Sequence, residues 1–243
     1  MKEYVAEKIE SPTRAAYVED MFGAIAPRYD LLNRLMTGGQ DRRWRAIAVA
    51  ETRIRPGGQA LDVATGTGDL AFALARVVGP GGRVVGVDFS DPMLDVARDK
   101  VYDAPSPLAP EFRRADALAL PFDDGSFDAA TIGFGLRNVT DVPRALAEMR
   151  RVLRLDGRMV CLEVTRPRVP LLAAGFYAYF NNVVPVIGAA FNGAREAYTY
   201  LPTSLRYFPD APTLRRLMLE AGFAHAHMRL LNLGTIAVHV GRK

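Results

Sequence analysis

The stretch "ALDVATGTGDLAFALA", residues 60–75, reads as an apolar strand, a glycine turn and the start of a helix. Such a turn leaves backbone N–H groups facing a ligand beyond the strand's carboxyl end. Gly66-Thr67-Gly68, with Ala71 three positions further on, fits the dinucleotide template G-x-G-x-x-A. Asp88 follows Gly68 by 20 positions, where an acid for ribose hydroxyls is expected. The same features suit S-adenosylmethionine, so this stretch alone leaves both a dehydrogenase and a methyltransferase open.

Charge separates the two. Asp69 stands at the helix start, where a carboxylate would cap the helix and repel a pyrophosphate. Asp62 in the first strand, Asp88 after the second and Asp116 after the third line the site with acid. S-adenosylmethionine has no phosphate and carries a sulfonium and an ammonium, so acids suit it. The histidines that could serve hydride transfer, His225, His227 and His239, all fall in the tail. S-adenosylmethionine is therefore the expected cofactor. Gly66 and Gly68 would let the backbone approach it and Thr67 would touch its amino-acid moiety. Asp88 would accept both ribose hydroxyls, and Asp116 with the Ala117 N–H would meet the adenine edge. Asp62 is assigned to the same site.

Outward from this stretch, β-rich runs alternate with helical patterns. Strands are expected at "QALDVAT", "RVVGVDF", "EFRRADA", "FDAATIGFG" and "RMVCLEV". Helices are expected at "DLAFALARVV", "SDPMLDVARDKVYD" and "DVPRALAEMRRVL". In the second, Ser90 or Asp91 would cap and Pro92 would sit early. After a last helix, "APTLRRLMLEAGF", the tail "HAHMRLLNLGTIAVHVGRK" reads as two strands joined near Asn232 and Gly234. So close a pair runs antiparallel. The expected fold is α/β: a class I S-adenosylmethionine-dependent methyltransferase, with a Rossmann-like seven-stranded sheet, parallel except for an antiparallel strand in the C-terminal hairpin. The expectation is a single domain over residues 1–243. It divides into an N-terminal helical lid (1–58), a cofactor-binding core (59–165), an apolar insertion or cap (166–212) and the C-terminal helix and hairpin (213–243).

Composition sets outer bounds. The 243 residues carry a net charge of +4 with no basic block, so no nucleic-acid partner is expected. The one cysteine, Cys161, lies in an apolar run, reads as a small core residue and can form no internal disulfide. No metal ligand cluster is apparent. The N-terminus mixes charges without an apolar h-region, so a cytoplasmic location is expected. The stretch "VPLLAAGFYAYFNNVVPVIGAAF", residues 169–191, is long enough to span a bilayer, but Asn181, Asn182 and Pro185 interrupt it. It reads as an apolar cap or interfacial helix pair. Its aromatics Phe176, Tyr177, Tyr179, Phe180 and Phe191 would line a groove for an isoprenoid tail, rest on a membrane, or form a buried helix pair or homodimer contact.

Across nearly its whole length the chain resembles the ubiquinone/menaquinone biosynthesis C-methyltransferases. "YDLLNRLMTGGQDRRW" (29–44) and "RVLRLDGRMVCLEVTRP" (151–167) are similar to that family's two signatures, with "LPFDDGSFDAATIGFGLRNV", "YTYLPTSLRYFP" and "GTIAVHVGRK" in support. The resemblance implies methylation of a ring carbon of a polyprenylated quinol, with S-adenosylmethionine as donor and Thr67, Asp88, Asp116 and Ala117 as its contacts. Peripheral contact with the inner face of a membrane is a further expectation. Asp41 stands where the first signature usually has His, and Thr37 where it usually has Ser. Gly133 and "CLEVTRP" look more like the menaquinone-only members, which favours demethylmenaquinol over a methoxy-benzoquinol as substrate.

A ring carbon becomes nucleophilic when a neighbouring hydroxyl ionises. For a phenol-like group that costs roughly 4 kcal/mol at neutral pH. "GLRNV" follows the fourth strand at the expected place. Arg137 would stabilise the quinolate and Asn138 orient a ring oxygen; alternatively, Arg137 pairs with an acid and holds the loop. Water, Asp30, Asp41 and Glu163 are candidate proton acceptors. Tyr29, Asn33 and Trp44 are candidate substrate contacts on the lid. A small-molecule O- or N-methyltransferase, a non-catalytic scaffold of a quinone-biosynthesis complex and an NAD(P)-linked enzyme are the rivals.

Overall fold

The computed structural model describes residues 2–11, 13–102, 108–167, 169–184, 186 and 195–243, which excludes Phe191. Its centre is a seven-stranded sheet in the order β3-β2-β1-β4-β5-β7-β6. The strands are β1 (Gln59–Val63), β2 (Arg83–Asp88), β3 (Glu111–Arg114), β4 (Phe127–Gly133), β5 (Leu153–Val164), β6 (His225–Leu231) and β7 (Ile236–Arg242). β1 pairs in parallel with β2 and β4, β2 with β3, and β4 with β5. β7 runs against both β5 and β6. The sheet expected from the alternating pattern is therefore present, including its antiparallel last hairpin. Topology reverses at β1, which places a crevice beyond the carboxyl ends of β1, β2 and β4.

Helices cover both faces. α5 (Asp69–Val78) follows the glycine turn, α6 (Asp91–Tyr102) follows β2, and α7 (Val142–Val152) joins β4 to β5. Asp141 caps α7 by accepting from the Arg144 N–H at 2.9 Å. On one face Leu146, Met149, Leu214 and Met218 bury against the sheet. On the other, Leu70, Leu74 and Val78 of α5 pack beside Trp44, Ala48 and Val49. These last three belong to α4 (Asp41–Thr52), so α4 is part of the sheet's own covering layer although its sequence falls in the expected lid. Cys161 is buried in β5, and burial pushes its thiol well above the usual range.

Three helices lead the chain: α1 (Lys2–Glu10), α2 (Arg14–Ile25) and α3 (Tyr29–Thr37), of which α2 and α3 border the crevice through Ala15, Phe22 and Tyr29. They share a separate apolar cluster, with Val18, Met21 and Leu32 packing against Val184 and Tyr200. α8 (Pro170–Ala178) continues into a π-helical turn at Tyr179–Val183, and α9 (Arg195–Tyr207) follows. α10 (Ala211–Glu220) leads to the hairpin. Among the described residues no helix is long and apolar enough to cross a membrane.

Candidate active site

Two cavities meet above the carboxyl ends of the strands. The first, about 380 Å³, is bordered by Gly66, Asp88, Ser90, Asp116, Ala117 and Asn138, among others. Its local chemistry follows from the glycine turn. Gly66 has φ +55° and a β-carbon there would meet nothing within 4 Å, so the glycine serves backbone shape and leaves open space above it. Gly68 has φ +84°, and a β-carbon would lie 2.6 Å from the Phe112 ring, so no larger residue fits.

Asp88 closes β2 and is nearly buried. Its carboxylate accepts the Gly66 N–H at 2.8 Å and the Ser90 N–H at 3.0 Å. Burial raises its pKa, and these N–H groups act the other way. Each carboxylate oxygen can still accept a further hydrogen bond. The buried Ser90 hydroxyl has no partner, although it borders the cavity. Asp116 accepts the Leu118 N–H at 2.9 Å, which shapes the turn beside Ala117.

S-adenosylmethionine fits this donor set better than a dinucleotide does. Arg114, the one cation bordering the cavity among the described residues, is engaged by Asp91 at 2.5 Å and Glu19 at 3.2 Å. The entry to α5, where a pyrophosphate would sit, is occupied by Asp69. Contrary to the expected capping role, Gly68 holds the N-cap position and Asp69 is the first helical residue; its side chain pairs with Lys100 at 2.9 Å and Arg45 at 3.6 Å. Burial opposes its charge, but these cations outweigh burial and lower its pKa. Thr67 and Asp62 border neither cavity. The Thr67 hydroxyl donates to Asp30 at 2.6 Å, tying the turn to the lid. Asp62 accepts the Thr65 and Thr131 hydroxyls, each at 2.6 Å, and burial raises its pKa to about 6.

The second cavity, about 660 Å³, shares two bordering residues with the first, Tyr29 and Phe134. Phe134 holds φ +58°, unusual for an aromatic residue, and its ring meets the Trp44 edge at 6.4 Å. Arg45 lies over the same ring at 5.9 Å. Asn33, Asp41, Trp44 and Arg137 also border this cavity. Burial raises the pKa of the Tyr29 hydroxyl, with Asn33 beside it acting the other way, so it remains a neutral donor. From the insertion come Phe176, Tyr179 and Phe180, whereas Tyr177 packs against the sheet-side core.

Arg137 is buried and paired with Glu163 at 2.5 Å. Its Nη1 also donates to the Phe134 carbonyl at 2.7 Å, while its Nε has no partner. Burial opposes the charge, but Glu163 outweighs it and raises the guanidinium pKa. The Glu163 carboxylate further accepts the N–H groups of Arg137 and Val164. Asp30 is taken up by Thr67 and Lys100 and borders neither cavity. Among the described residues Asp41 is the one carboxylate at the second cavity, held by Arg45 and by the Thr37 hydroxyl at 3.0 Å.

Asn138 faces the first cavity, and its side-chain oxygen accepts the Tyr200 hydroxyl at 3.0 Å. Sequence reasoning missed Ser90 as a cavity residue because it reads as a helix cap. It missed Phe134 and Tyr200 because apolar and aromatic residues carry no local functional signal. Tyr4 and Lys8, the chain's one Tyr-x-x-x-Lys spacing, lie against each other on α1 and border neither cavity.

The model of the ubiE/COQ5 methyltransferase family matches residues 10–243. A demethylmenaquinone methyltransferase of Roseiflexus castenholzii is 48% identical over 230 residues, covering 95% of this chain and 94% of that protein. A ubiquinone/menaquinone biosynthesis C-methyltransferase of Geotalea uraniireducens is 44% identical over 226 residues, covering 93% and 96%. Among solved structures, a SAM-dependent methyltransferase of Thermotoga maritima superposes with a TM-score of 0.61 at 20% identity, covering 92% of this chain and 99% of that one. That likeness is one of fold. The chain belongs to the ubiE/COQ5 methyltransferase family and is an S-adenosylmethionine-dependent methyltransferase.

Proposed function

We propose that the protein methylates a ring carbon of a polyprenylated quinol, with demethylmenaquinol as the first-choice substrate and menaquinol as product. The observation that carries this reading is the buried Arg137, with an unused donor, at the wall of an apolar-lined cavity one aromatic layer from the cofactor cavity. The names of its relatives include both menaquinone and ubiquinone pathways. Gly133, which borders the cofactor cavity, and "CLEVTRP" are the sequence features that favour the menaquinone side.

In this reading S-adenosylmethionine supplies an electrophilic methyl group when bound. Asp88 and Ser90 hold its ribose, Asp116 and the Ala117 N–H its adenine edge, and Gly66 lets it approach the backbone. On the substrate side, Arg137 donates to the ring oxygen and stabilises the quinolate, an effect worth a few kcal/mol in a water-poor site. Asp41 takes the hydroxyl proton; once the ring carbon has taken the methyl group from sulfur it loses its own C–H proton to water, and Asp41 returns a proton to the oxygen, restoring the quinol. Tyr29, Asn33 and Trp44 fix the plane of the ring. Asn138, oriented by Tyr200, fixes the loop that carries Arg137. Tyr29 and Phe134 set the line between the two reactants, which in-line transfer requires. The isoprenoid tail leaves along Phe176, Tyr179 and Phe180 towards a membrane surface. Every group named comes from one chain, so this reading does not require a homodimer.

The test is incubation with labelled S-adenosylmethionine and a short-tailed demethylmenaquinol reduced in situ, with the product read by mass spectrometry. Ring-methylated product is expected from the reduced quinol only. Equal product from the oxidised quinone, or a methyl group on oxygen, would overturn the reading.

A further inference from the structure

Apart from the two cavities at the strand ends, another of about 580 Å³ opens where α3, α4, α5 and α6 come together. Five cations border it: Arg34, Arg42, Arg45, Arg76 and Lys100. Among the described residues, two carboxylates stand against them, Asp30 and Asp69. The whole chain is close to balance, with 31 basic and 27 acidic side chains, so the surplus belongs to this place and not to the composition.

Both carboxylates are already taken. Lys100 lies 2.5 Å from Asp30 and 2.9 Å from Asp69, and it donates to the Thr67 carbonyl at 2.9 Å. Arg45 pairs with Asp41 and reaches Asp69 at 3.6 Å. The other three cations have no such ties. Arg34 on α3, Arg42 on α4 and Arg76 on α5 are exposed, and their side chains make no hydrogen bond or ion pair with another described residue. Burial opposes the Asp69 charge, yet Arg45, Lys100 and Arg34 together lower its pKa, so the field is positive even beside that acid.

Three like charges brought to one opening by three helices repel, and a bound anion turns that repulsion into attraction. A guanidinium fork matches phosphate oxygens in geometry as well as in charge. The volume exceeds what a lone phosphate needs, and Phe72 and Leu108 give the cavity an apolar side.

We infer that this cavity binds a small phosphorylated molecule carrying two or more negative charges, held by Arg34, Arg42 and Arg76. The ligand is a dissolved one: a lipid phosphodiester carries a single charge and leaves two of the three guanidinium groups unmatched. Asp69 does not stand in its way, because it opens α5 and Arg76 lies about two turns further along. The site is independent of what the methyl acceptor is.

The test is calorimetric titration with inorganic pyrophosphate, at an ionic strength held constant with sodium chloride, of the full chain and of its Arg34→Gln, Arg76→Gln double variant. One pyrophosphate should bind per chain, and the variant should bind it at least about tenfold more weakly. Its affinity for S-adenosylmethionine should equal the parent's, which also shows that it is folded. Arg42→Gln, on a different helix, should by itself weaken pyrophosphate about threefold.

No saturable binding by the parent chain, or equal affinity in the parent and both variants, would overturn the inference. Displacement of pyrophosphate by S-adenosylmethionine would place the anion in the first cavity and would also overturn it. Phosphatidylglycerol vesicles form the last arm. Vesicles bound by the parent and lost by the double variant, with pyrophosphate bound by neither, would assign the arginines to headgroups and overturn the dissolved ligand.

Discussion

The two cavities share Tyr29 and Phe134 and otherwise differ in how they are made. The first is built largely from loops that follow β1, β2, β3 and β4, so sheet register fixes where Asp88, Asp116 and Gly133 point. The second is assembled from α3, α4, the loop after β4, α8, α9 and the β6–β7 turn. One is dictated by topology and the other by helix packing. A cofactor common to many chemistries suits the former, and a substrate particular to one family suits the latter.

The sharpest way to break that contrast is at Arg137. Removing it leaves Glu163 as a buried, uncompensated charge, which costs roughly 3–5 kcal/mol. Arg137→Met alone should therefore unfold at markedly lower denaturant, and Arg137→Met with Glu163→Gln should recover most of that stability. Turnover should stay at least about a hundredfold down in both. A double variant with restored turnover would reduce Arg137 to a structural role.

Asp62 tests the sheet side with the next largest effect. Its folded pKa, about 6, lies above the unfolded value of 3.8, so the folded state holds a proton that the unfolded state has released. Stability contributed by this group is therefore lost as pH rises between about 4 and 6, at most by about 3 kcal/mol at neutral pH. Asp62→Asn should flatten that part of the stability–pH curve and raise stability at pH 7, as denaturant melts across pH would show. A slope identical to the parent's would mean that Asp62 is not the titrating group.

Phe134 belongs to both cavities and should give the smallest change in stability. Phe134→Gly relieves a left-handed aromatic residue by about 1 kcal/mol while losing the ring's contacts with Trp44 and Arg45. The two offset, so unfolding should move by no more than about 1 kcal/mol. Turnover should fall far more than affinity for S-adenosylmethionine, measured by calorimetry. Loss of affinity and turnover in equal measure would assign the ring to the cofactor side alone.

The same contrast explains what could be read from the chain. The strands were legible because buried β-rich runs alternate with helical spacing, and the hairpin because Asn232 and Gly234 leave too little chain for a crossover. Asp88 was legible as a residue of the first cavity because its distance from the glycine turn is set by one strand–helix–strand unit. What was not legible depends on contacts between remote segments. Asp69 is drawn from capping into pairs with Arg45 and Lys100, and Thr67 turns to Asp30 on the lid. The assignment of α4 to the sheet's covering layer follows from its burial of Trp44 and Val49 against β-strand residues. No local pattern distinguishes such a helix from the lid helices before it.

The shared wall has a thermodynamic consequence. Tyr29 and Phe134 border both cavities, so any ligand that settles their side chains changes the surface offered to a ligand in the other cavity. Ligands in the two cavities would then bind with a coupling free energy, and linkage makes it reciprocal: the factor by which the methyl acceptor alters affinity for the donor equals the factor by which the donor alters affinity for the acceptor. The spent donor would occupy the same cavity and so lie beside the same two residues. Product release on either side of that aromatic layer is thereby tied to what remains on the other.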